Sequence, residues 1–133
     1  MTGLVAVLGF ALWIVVLTFF YASPRLVLIV TGKKEGNAWG REKGETNTGL
    51  LMRAKHAHLN ALEVLPVFAA VVFVAYFMDK AAVVDTLAAF VLFARFGQSI
   101  VHMIGTSTPL VFIRANLFAI QLLLILYMGF NLL

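Results

Sequence analysis

The sequence predicts an all-α integral membrane protein, a bundle of four transmembrane helices that forms a single domain over residues 1–133. Its composition is the first reason: 62% of the residues are hydrophobic and 12% are charged, whereas soluble domains are about 45–50% apolar and about 25% charged. The second reason is that the apolar residues form four blocks. Each block reaches about 20 residues, the length that a helix needs to cross a bilayer.

The four blocks predict helices at about 3–30, 49–78, 81–105 and 109–133, joined by a long polar loop at 31–48. The two remaining connections are too short for anything except antiparallel neighbours. The chain should therefore run up and down through the bundle.

Helix one contains Pro24, which predicts a bend near residues 22–25 because proline removes a backbone donor and clashes with the preceding turn. The first apolar block has no basic region before it and no small-residue cleavage site. It is also longer than the core of a signal peptide, so we expect it to be retained as a membrane helix.

The ends of the later helices carry recognisable signals. Asn47 or Thr48 can cap helix two. Gly105 is a suitable stop for helix three, and Thr108 followed by Pro109 predicts the cap and first turn of helix four.

The composition also excludes several functions. The chain has no cysteine, which excludes disulfides, a thiolate nucleophile and metal sites built on thiolates. Any thiol chemistry must therefore use sulfur from another molecule. The sequence pI of about 9.8 would suggest nucleic-acid binding in a soluble protein, but the basic residues flank membrane segments and topology explains them better. We expect no nucleic-acid partner.

The basic residues predict the orientation of the helices. The first loop carries Lys33, Lys34, Arg41 and Lys43, whereas the second carries only Lys80. Because short loops rich in Lys and Arg stay in the cytoplasm, we expect the first and third loops to be cytoplasmic and both termini to be non-cytoplasmic.

Polar side chains are predicted at one depth in three of the helices. Those of helix two are spaced by three or four residues, which places them on one helix face. With a rise of about 1.5 Å per residue, all of them fall in the cytoplasmic half of the bilayer. The set comprises Arg53, His56, Asn60 and Glu63 in helix two, Arg95, Gln98 or Ser99, and His102 in helix three, and Arg114 in helix four.

Charged groups at this depth need a partner or a hydrated cavity, because each costs about 2.5–3.5 kcal/mol on insertion scales. One interpretation is structural: Glu63 pairs with Arg95, Asn60 bonds across helices, and the layer holds the bundle together. The other is an anionic ligand, because arginines outnumber Glu63 and guanidinium binds carboxylate bidentately.

The histidines do not predict a metal site. His56 and His58 are two residues apart, about 200° around a helix, so they cannot ligate one ion as a pair four residues apart can. His58 lies off the polar face, which favours a structural or subunit-facing role. His102 can exchange protons near neutral pH or simply be satisfied by backbone or lipid headgroups.

Residues 53–68, RAKHAHLNALEVLPVF, resemble the signature of the MAPEG family, membrane-associated proteins of eicosanoid and glutathione metabolism. The resemblance extends over the whole chain, which shares four helices, a long polar first loop, Ala94-Arg95 in helix three and an arginine early in helix four. The spacing of the alanine, histidine, asparagine, glutamate and proline makes it specific.

The resemblance implies a homotrimer with glutathione as cosubstrate, bound between neighbouring subunits near the cytoplasmic face, and a lipophilic substrate that enters from the membrane. Arg114 matches the family arginine that stabilises the glutathione thiolate, which makes it the expected catalytic residue. The residues expected to bind glutathione are Arg53, His56, Asn60, Glu63, Arg95, Gln98 and His102.

The chain departs from the family at two kinds of position. His56 replaces an arginine four residues before the asparagine, and His102 and Phe118 stand where several enzymatic members have tyrosine. Three functions therefore stay open: a glutathione-dependent transferase or peroxidase acting on lipophilic electrophiles, a non-catalytic lipid-binding scaffold, and a structural membrane subunit. Retention of Arg114 favours the first, and His56 adds weight to the second.

Overall fold

The computed structural model describes residues 1–33, 35–36 and 49–133. Within these residues, four helical spans are long and apolar enough to cross a membrane, which confirms the predicted fold class. Most of the predicted loop at 31–48, including the caps at Asn47 and Thr48, lies outside the described residues. The helices are α1 (Gly3–Val30), α2 (Gly49–Phe77), α3 (Ala81–Asp85), α4 (Ala88–Ile104) and α5 (Thr108–Phe130).

The third span is broken, whereas the sequence predicted one continuous helix over 81–105. The amide of Leu87 donates to the carbonyl of Val84 at 3.1 Å, and the amide of Phe90 donates to the carbonyl of Leu87 at 3.0 Å. These bonds reach back three residues, the tighter 3₁₀ pattern, and separate α3 from α4. The span ends at Ile104 with Gly105 as its C-cap, in extended backbone.

The last helix also differs slightly from its prediction. Its N-cap is Ser107 rather than Thr108, and Pro109 lies in the first turn, where its missing amide hydrogen leaves no bond unmade. It ends at Phe130 rather than at residue 133. Pro24 lies inside α1, which continues to Val30.

The turn between α2 and α3 reverses the chain within three residues. The amide of Lys80 donates to the carbonyl of Ala75 at 2.8 Å, and that of Asp79 donates to the carbonyl of Tyr76 at 3.2 Å. This is the Schellman arrangement, whose central residue adopts the left-handed conformation. Asp79 does so here with φ 56°, and α3 can then return alongside α2.

A small polar cluster joins three helices at the end of the bundle that contains the chain termini. Asp85 Oδ1 accepts hydrogen bonds from the Gly3 amide at 2.6 Å and from the Tyr76 hydroxyl at 2.8 Å. A carboxylate at a helix N-terminus is electrostatically favourable. We call Gly3, Tyr76 and Asp85 the termini cluster.

The core lies between α1, α2 and α4. Phe10 and Phe68 are fully buried there, with ring centroids 5.9 Å apart. The outward surface is apolar, and side chains such as Phe19, Phe112 and Leu123 are more than half exposed, as a lipid-facing surface requires. Helix α5 packs mainly against α4, so one side of the α2–α4–α5 junction stays open.

Candidate functional site

An open pocket of about 480 Å³ lies between α2, α4 and α5, towards the end of the bundle opposite the termini. Its volume falls within the roughly 300–1,000 Å³ typical of small-molecule sites. The lining residues are His56, Leu59, Asn60 and Glu63 from α2, Gln98 and His102 from α4, and Arg114, Ala115 and Phe118 from α5.

Helical spacing produces this convergence. On α2, His56, Asn60 and Glu63 follow one another by four and three residues, and therefore share one face. On α4, Gln98 and His102 are four apart and do the same. The predicted meeting of polar residues from three helices at one depth is therefore present in the structure.

Six of the eight predicted site residues line the pocket, and Arg53 and Arg95 do not. Arg53 Nε donates to the carbonyl of Met103 at 2.9 Å. That carbonyl belongs to the last turn of α4, where backbone acceptors have no partner within the helix. Arg53 therefore ties α2 to the end of α4.

Arg95 is 1% exposed and lies behind the pocket wall. Its Nη1 donates to Asn60 Oδ1 at 2.8 Å, and its guanidinium carbon lies 5.2 Å from the centroid of the Phe10 ring. Its Nε and Nη2 atoms are buried without a partner among the described residues.

The Glu63–Arg95 ion pair considered from the sequence is absent from the described part of the chain. The Arg95 guanidinium donates instead to Asn60, which lies one turn before Glu63 on α2. Glu63 is exposed and faces the pocket, whereas Arg95 is buried. The two charges therefore form no ion pair among the described residues, although the Glu63 charge still acts electrostatically on the Arg95 guanidinium.

A chain of side-chain amides continues from Asn60 into α5. Asn60 Oδ1 also accepts from Gln98 Nε2 at 3.0 Å, and Gln98 Oε1 accepts from Gln121 Nε2 at 2.8 Å. Gln121 is fully buried and was missed by the sequence analysis. Its spacing from Arg114 was an available signal, because residues seven apart lie on the same helix face.

The remaining polar residues face α1 rather than the pocket. Trp13 Nε1 donates to Ser99 Oγ at 3.0 Å, so of the two alternatives Gln98 and Ser99 it is Gln98 that lines the pocket. His58 is buried, with its Nδ1 3.4 Å from the Tyr21 hydroxyl. The described contact of His58 is thus with Tyr21 of α1 in the same chain.

The pocket combines opposite charges with neutral polar groups. Among the described residues, neither the Arg114 guanidinium nor the Glu63 carboxylate has a hydrogen-bond partner. The rings of His56 and His102 lie 6.2 Å apart between centroids. The sequence predicted a polar layer with three arginines and one glutamate. Of these four residues, Arg114 and Glu63 line the pocket, so its lining carries one residue of each charge. Such a site suits a ligand that carries both an anionic and a cationic group.

Within the described residues, no group of three histidine, aspartate or glutamate side chains is placed to hold a metal ion. The described lining residues that can bind or polarise a ligand are Arg114, Glu63, the two histidines and the amides of Asn60 and Gln98.

Comparison with known proteins identifies the family. The model of the MAPEG family matches residues 2–133, essentially the whole chain. No individual protein of curated function and no solved structure matches. The family includes glutathione transferases and peroxidases among other members and generally uses glutathione, and its members lie in membranes, as the four apolar spans here require. This chain is a multi-pass integral membrane protein of the MAPEG family.

Proposed function

We propose that the protein is a glutathione-dependent transferase or peroxidase that acts on lipophilic electrophiles dissolved in the membrane. One observation carries the proposal: a pocket in which Arg114 of α5, without a hydrogen-bond partner among the described residues, faces Asn60 and Glu63 of α2. Family membership supports glutathione as the cosubstrate.

The charges of the pocket match the chemistry of this tripeptide. Glutathione has an ammonium group and two carboxylates, and the thiol becomes an anion when it reacts. In this proposal Glu63 binds the ammonium group and Asn60 binds an amide or carboxylate, which is supported by the presence of both residues in the pocket lining. Arg114 then remains for the sulfur, where a permanently charged guanidinium stabilises thiolate relative to thiol.

The other lining residues complete the binding set. His56 and His102 come from facing helices, and each imidazole carries an N–H that can donate to a carboxylate. Gln98 lines the floor beside Asn60. The sequence analysis expected Arg53 and Arg95 to bind glutathione. In this proposal they instead stabilise the pocket, Arg53 through the Met103 carbonyl and Arg95 through Asn60.

The assembly and orientation belong to the same proposal. We propose a homotrimer in which the open side of each pocket is covered by a neighbour, so that glutathione lies between subunits. The first and third loops lie in the cytoplasm and the termini on the other side. Lysine and arginine residues in the first loop support this orientation.

Single cysteines test the orientation without background labelling, because the chain has none. Introduced at Gly36 and at Lys80, they should react with a membrane-impermeant maleimide from opposite sides of sealed vesicles. Labelling of Gly36→Cys from the non-cytoplasmic side would show that the topology is opposite to the one proposed. Chemical crosslinking in native membranes should give a trimer as the largest product.

Calorimetric titration of the purified protein with glutathione tests the function. We expect binding, with Glu63→Gln weakening it about tenfold because the ligand ammonium loses its counter-charge. Asp79→Asn is the matched control, since it removes one exposed carboxylate at the other end of the bundle. The absence of binding to the unmodified protein would exclude the enzyme proposal.

A lipid-binding scaffold is the second candidate. The observation that favours it is the apolar part of the lining, formed by Leu59, Ala115 and Phe118, next to His56 in place of an arginine. It predicts saturable binding of a fatty-acid probe at this pocket with no affinity for glutathione.

A further inference from the structure

The orientation of the Asn60 amide is fixed by the chemistry of its buried neighbour. A guanidinium has only hydrogen-bond donors and no acceptor. The Asn60 atom that lies 2.8 Å from Arg95 Nη1 must therefore be the oxygen, Oδ1. Arg95 is 1% exposed, so water does not compete for this contact.

The orientation of the Asn60 amide determines the orientations of the next two side-chain amides, Gln98 and Gln121. Because Asn60 presents Oδ1, Gln98 must approach it with Nε2, at 3.0 Å. The Gln98 oxygen then faces α5, where Gln121 Nε2 donates to it at 2.8 Å. Gln121 Nε2 also donates to the Leu117 carbonyl of its own helix at 3.0 Å, which holds the end of the chain of amides in place.

This arrangement leaves one group of Asn60 unused. Oδ1 accepts two hydrogen bonds behind the wall, and Nδ2 has no partner among the described residues. Asn60 lines the pocket. The pocket therefore presents a donor at this point and no acceptor.

We propose that Arg95 and Gln121, neither of which lines the pocket, are positioning residues that hold the Asn60 NH₂ group towards the ligand. They make the pocket select a ligand with an acceptor, a carbonyl or carboxylate oxygen, at this point. The identity of the ligand rests on the proposed function, whereas the orientation of Asn60 is a property of the ligand-free protein.

Nuclear magnetic resonance of the ligand-free protein in detergent tests the orientation alone. Side-chain amides are labelled with ¹⁵N, and the signal of Asn60 is assigned by its loss in Asn60→Asp. The only two glutamines of the chain are Gln98 and Gln121. We expect the Asn60 NH₂ to exchange with D₂O faster than both glutamine NH₂ groups. Equal protection of all three would overturn the orientation whether or not glutathione binds.

Substitutions test the positioning role. Arg95→Met removes the donor and frees Asn60 to turn, so the Kd for glutathione should rise about tenfold, while Arg95→Lys, still a donor only, should stay within about threefold. Gln121→Met should raise the Kd by a smaller factor, because one link is lost. In these variants kcat at saturating glutathione should be unchanged, since Arg114 is not altered.

Asn116→Met is the matched control for Gln121→Met. It removes an amide from the same helix, but Asn116 is exposed and, among the described residues, donates only to the Phe112 carbonyl of its own helix. It should leave the Kd unchanged. A merely structural role would lower the melting temperature and kcat of Arg95→Met together and would not be rescued by lysine. That result, or a Kd within twofold of the unmodified protein, would overturn the proposal. Failure of the unmodified protein to bind glutathione would exclude only the proposed function.

Discussion

The two polar clusters of the bundle, one at each end, use their hydrogen bonds differently. In the termini cluster, the Gly3 amide and the Tyr76 hydroxyl both reach Asp85 Oδ1. In the pocket, Arg114 and Glu63 have no hydrogen-bond partner among the described residues. Composition alone does not separate the two clusters. They differ in whether their polar groups form hydrogen bonds within the chain: those of the termini cluster do, and the charged groups of the pocket do not among the described residues.

The difference has an energetic meaning. A polar group inside a membrane protein costs free energy unless it is paired or hydrated. The termini cluster offsets that cost within the fold, so it contributes to stability. The pocket leaves part of the cost to water or to a ligand, which is the usual signature of a site that gives up stability for function. Substitutions in the two clusters should therefore have opposite profiles.

Arg114→Ala should have the largest effect on activity. Removal of a charge that stabilises the developing anion is expected to lower the rate of glutathione conjugation about 10²–10³-fold, while the Kd for glutathione changes by less than about tenfold. Arg114→Lys should be intermediate, because it keeps a point charge without the planar fork. The rate with a lipophilic electrophile and the melting temperature are measured together. Loss of folding or of assembly without a selective kinetic effect would mean that Arg114 is structural.

Asp85→Ala should have the largest effect on stability. It leaves the Gly3 amide and the Tyr76 hydroxyl without their acceptor, which costs about 1–3 kcal/mol for a buried group. Thermal unfolding in detergent measures the loss, and glutathione affinity should be unchanged. Thr86→Ala is the control, since Thr86 is exposed and, within the part of the chain that the structure describes, its hydroxyl donates only to the Ala82 carbonyl one turn earlier. An unchanged melting temperature, or a selective loss of glutathione binding, would remove the contrast between the clusters.

A double-mutant cycle sharpens the contrast within the pocket. Glu63 and Arg95 make no direct ion pair among the described residues, but the Glu63 charge still favours the buried guanidinium electrostatically. The effects of Glu63→Gln and Arg95→Gln on stability should therefore fall short of their sum by a small coupling, below about 1 kcal/mol. A larger favourable coupling would show that the two charges interact directly and that the layer is structural after all.

Asp79→Gly should produce the smallest effect, and in the stabilising direction. Asp79 has φ 56°, a conformation that costs ordinary residues roughly 1–2 kcal/mol and aspartate less. Glycine adopts it without strain, so the melting temperature should rise slightly while glutathione binding stays the same. Asp79→Ala is the opposite control and should be destabilising.

The sequence predicted the spans from the length of its apolar blocks and most of the pocket from helical periodicity. Spacings of three and four residues place His56, Asn60 and Glu63 on one face whatever the helix packs against. Apolar blocks of this length leave few alternatives to membrane spans. The family resemblance added the choice of Arg114 as the catalytic candidate, which the pocket lining accommodates.

The rest depends on contacts between helices, which periodicity does not contain. Arg95 and Glu63 have complementary charges, yet the hydrogen bond that Arg95 donates goes to Asn60. Gln121 is one of two side-chain amides in a largely apolar helix, and its role becomes evident only from its hydrogen bond to Gln98. The break at residues 86–87 follows Asp85, whose side chain accepts a hydrogen bond from the Gly3 amide of α1. These two residues are 82 positions apart in the sequence.

The most direct test of the account is an ultraviolet difference spectrum recorded when glutathione is added to the purified protein at neutral pH. If the pocket binds glutathione and Arg114 stabilises its sulfur as an anion, the thiolate absorption band should appear and saturate with glutathione. It should be absent when S-methylglutathione, which has no thiol, is added instead. Glutathione that binds without producing the band, or a band that is undiminished in Arg114→Ala, would contradict the role assigned to this arginine.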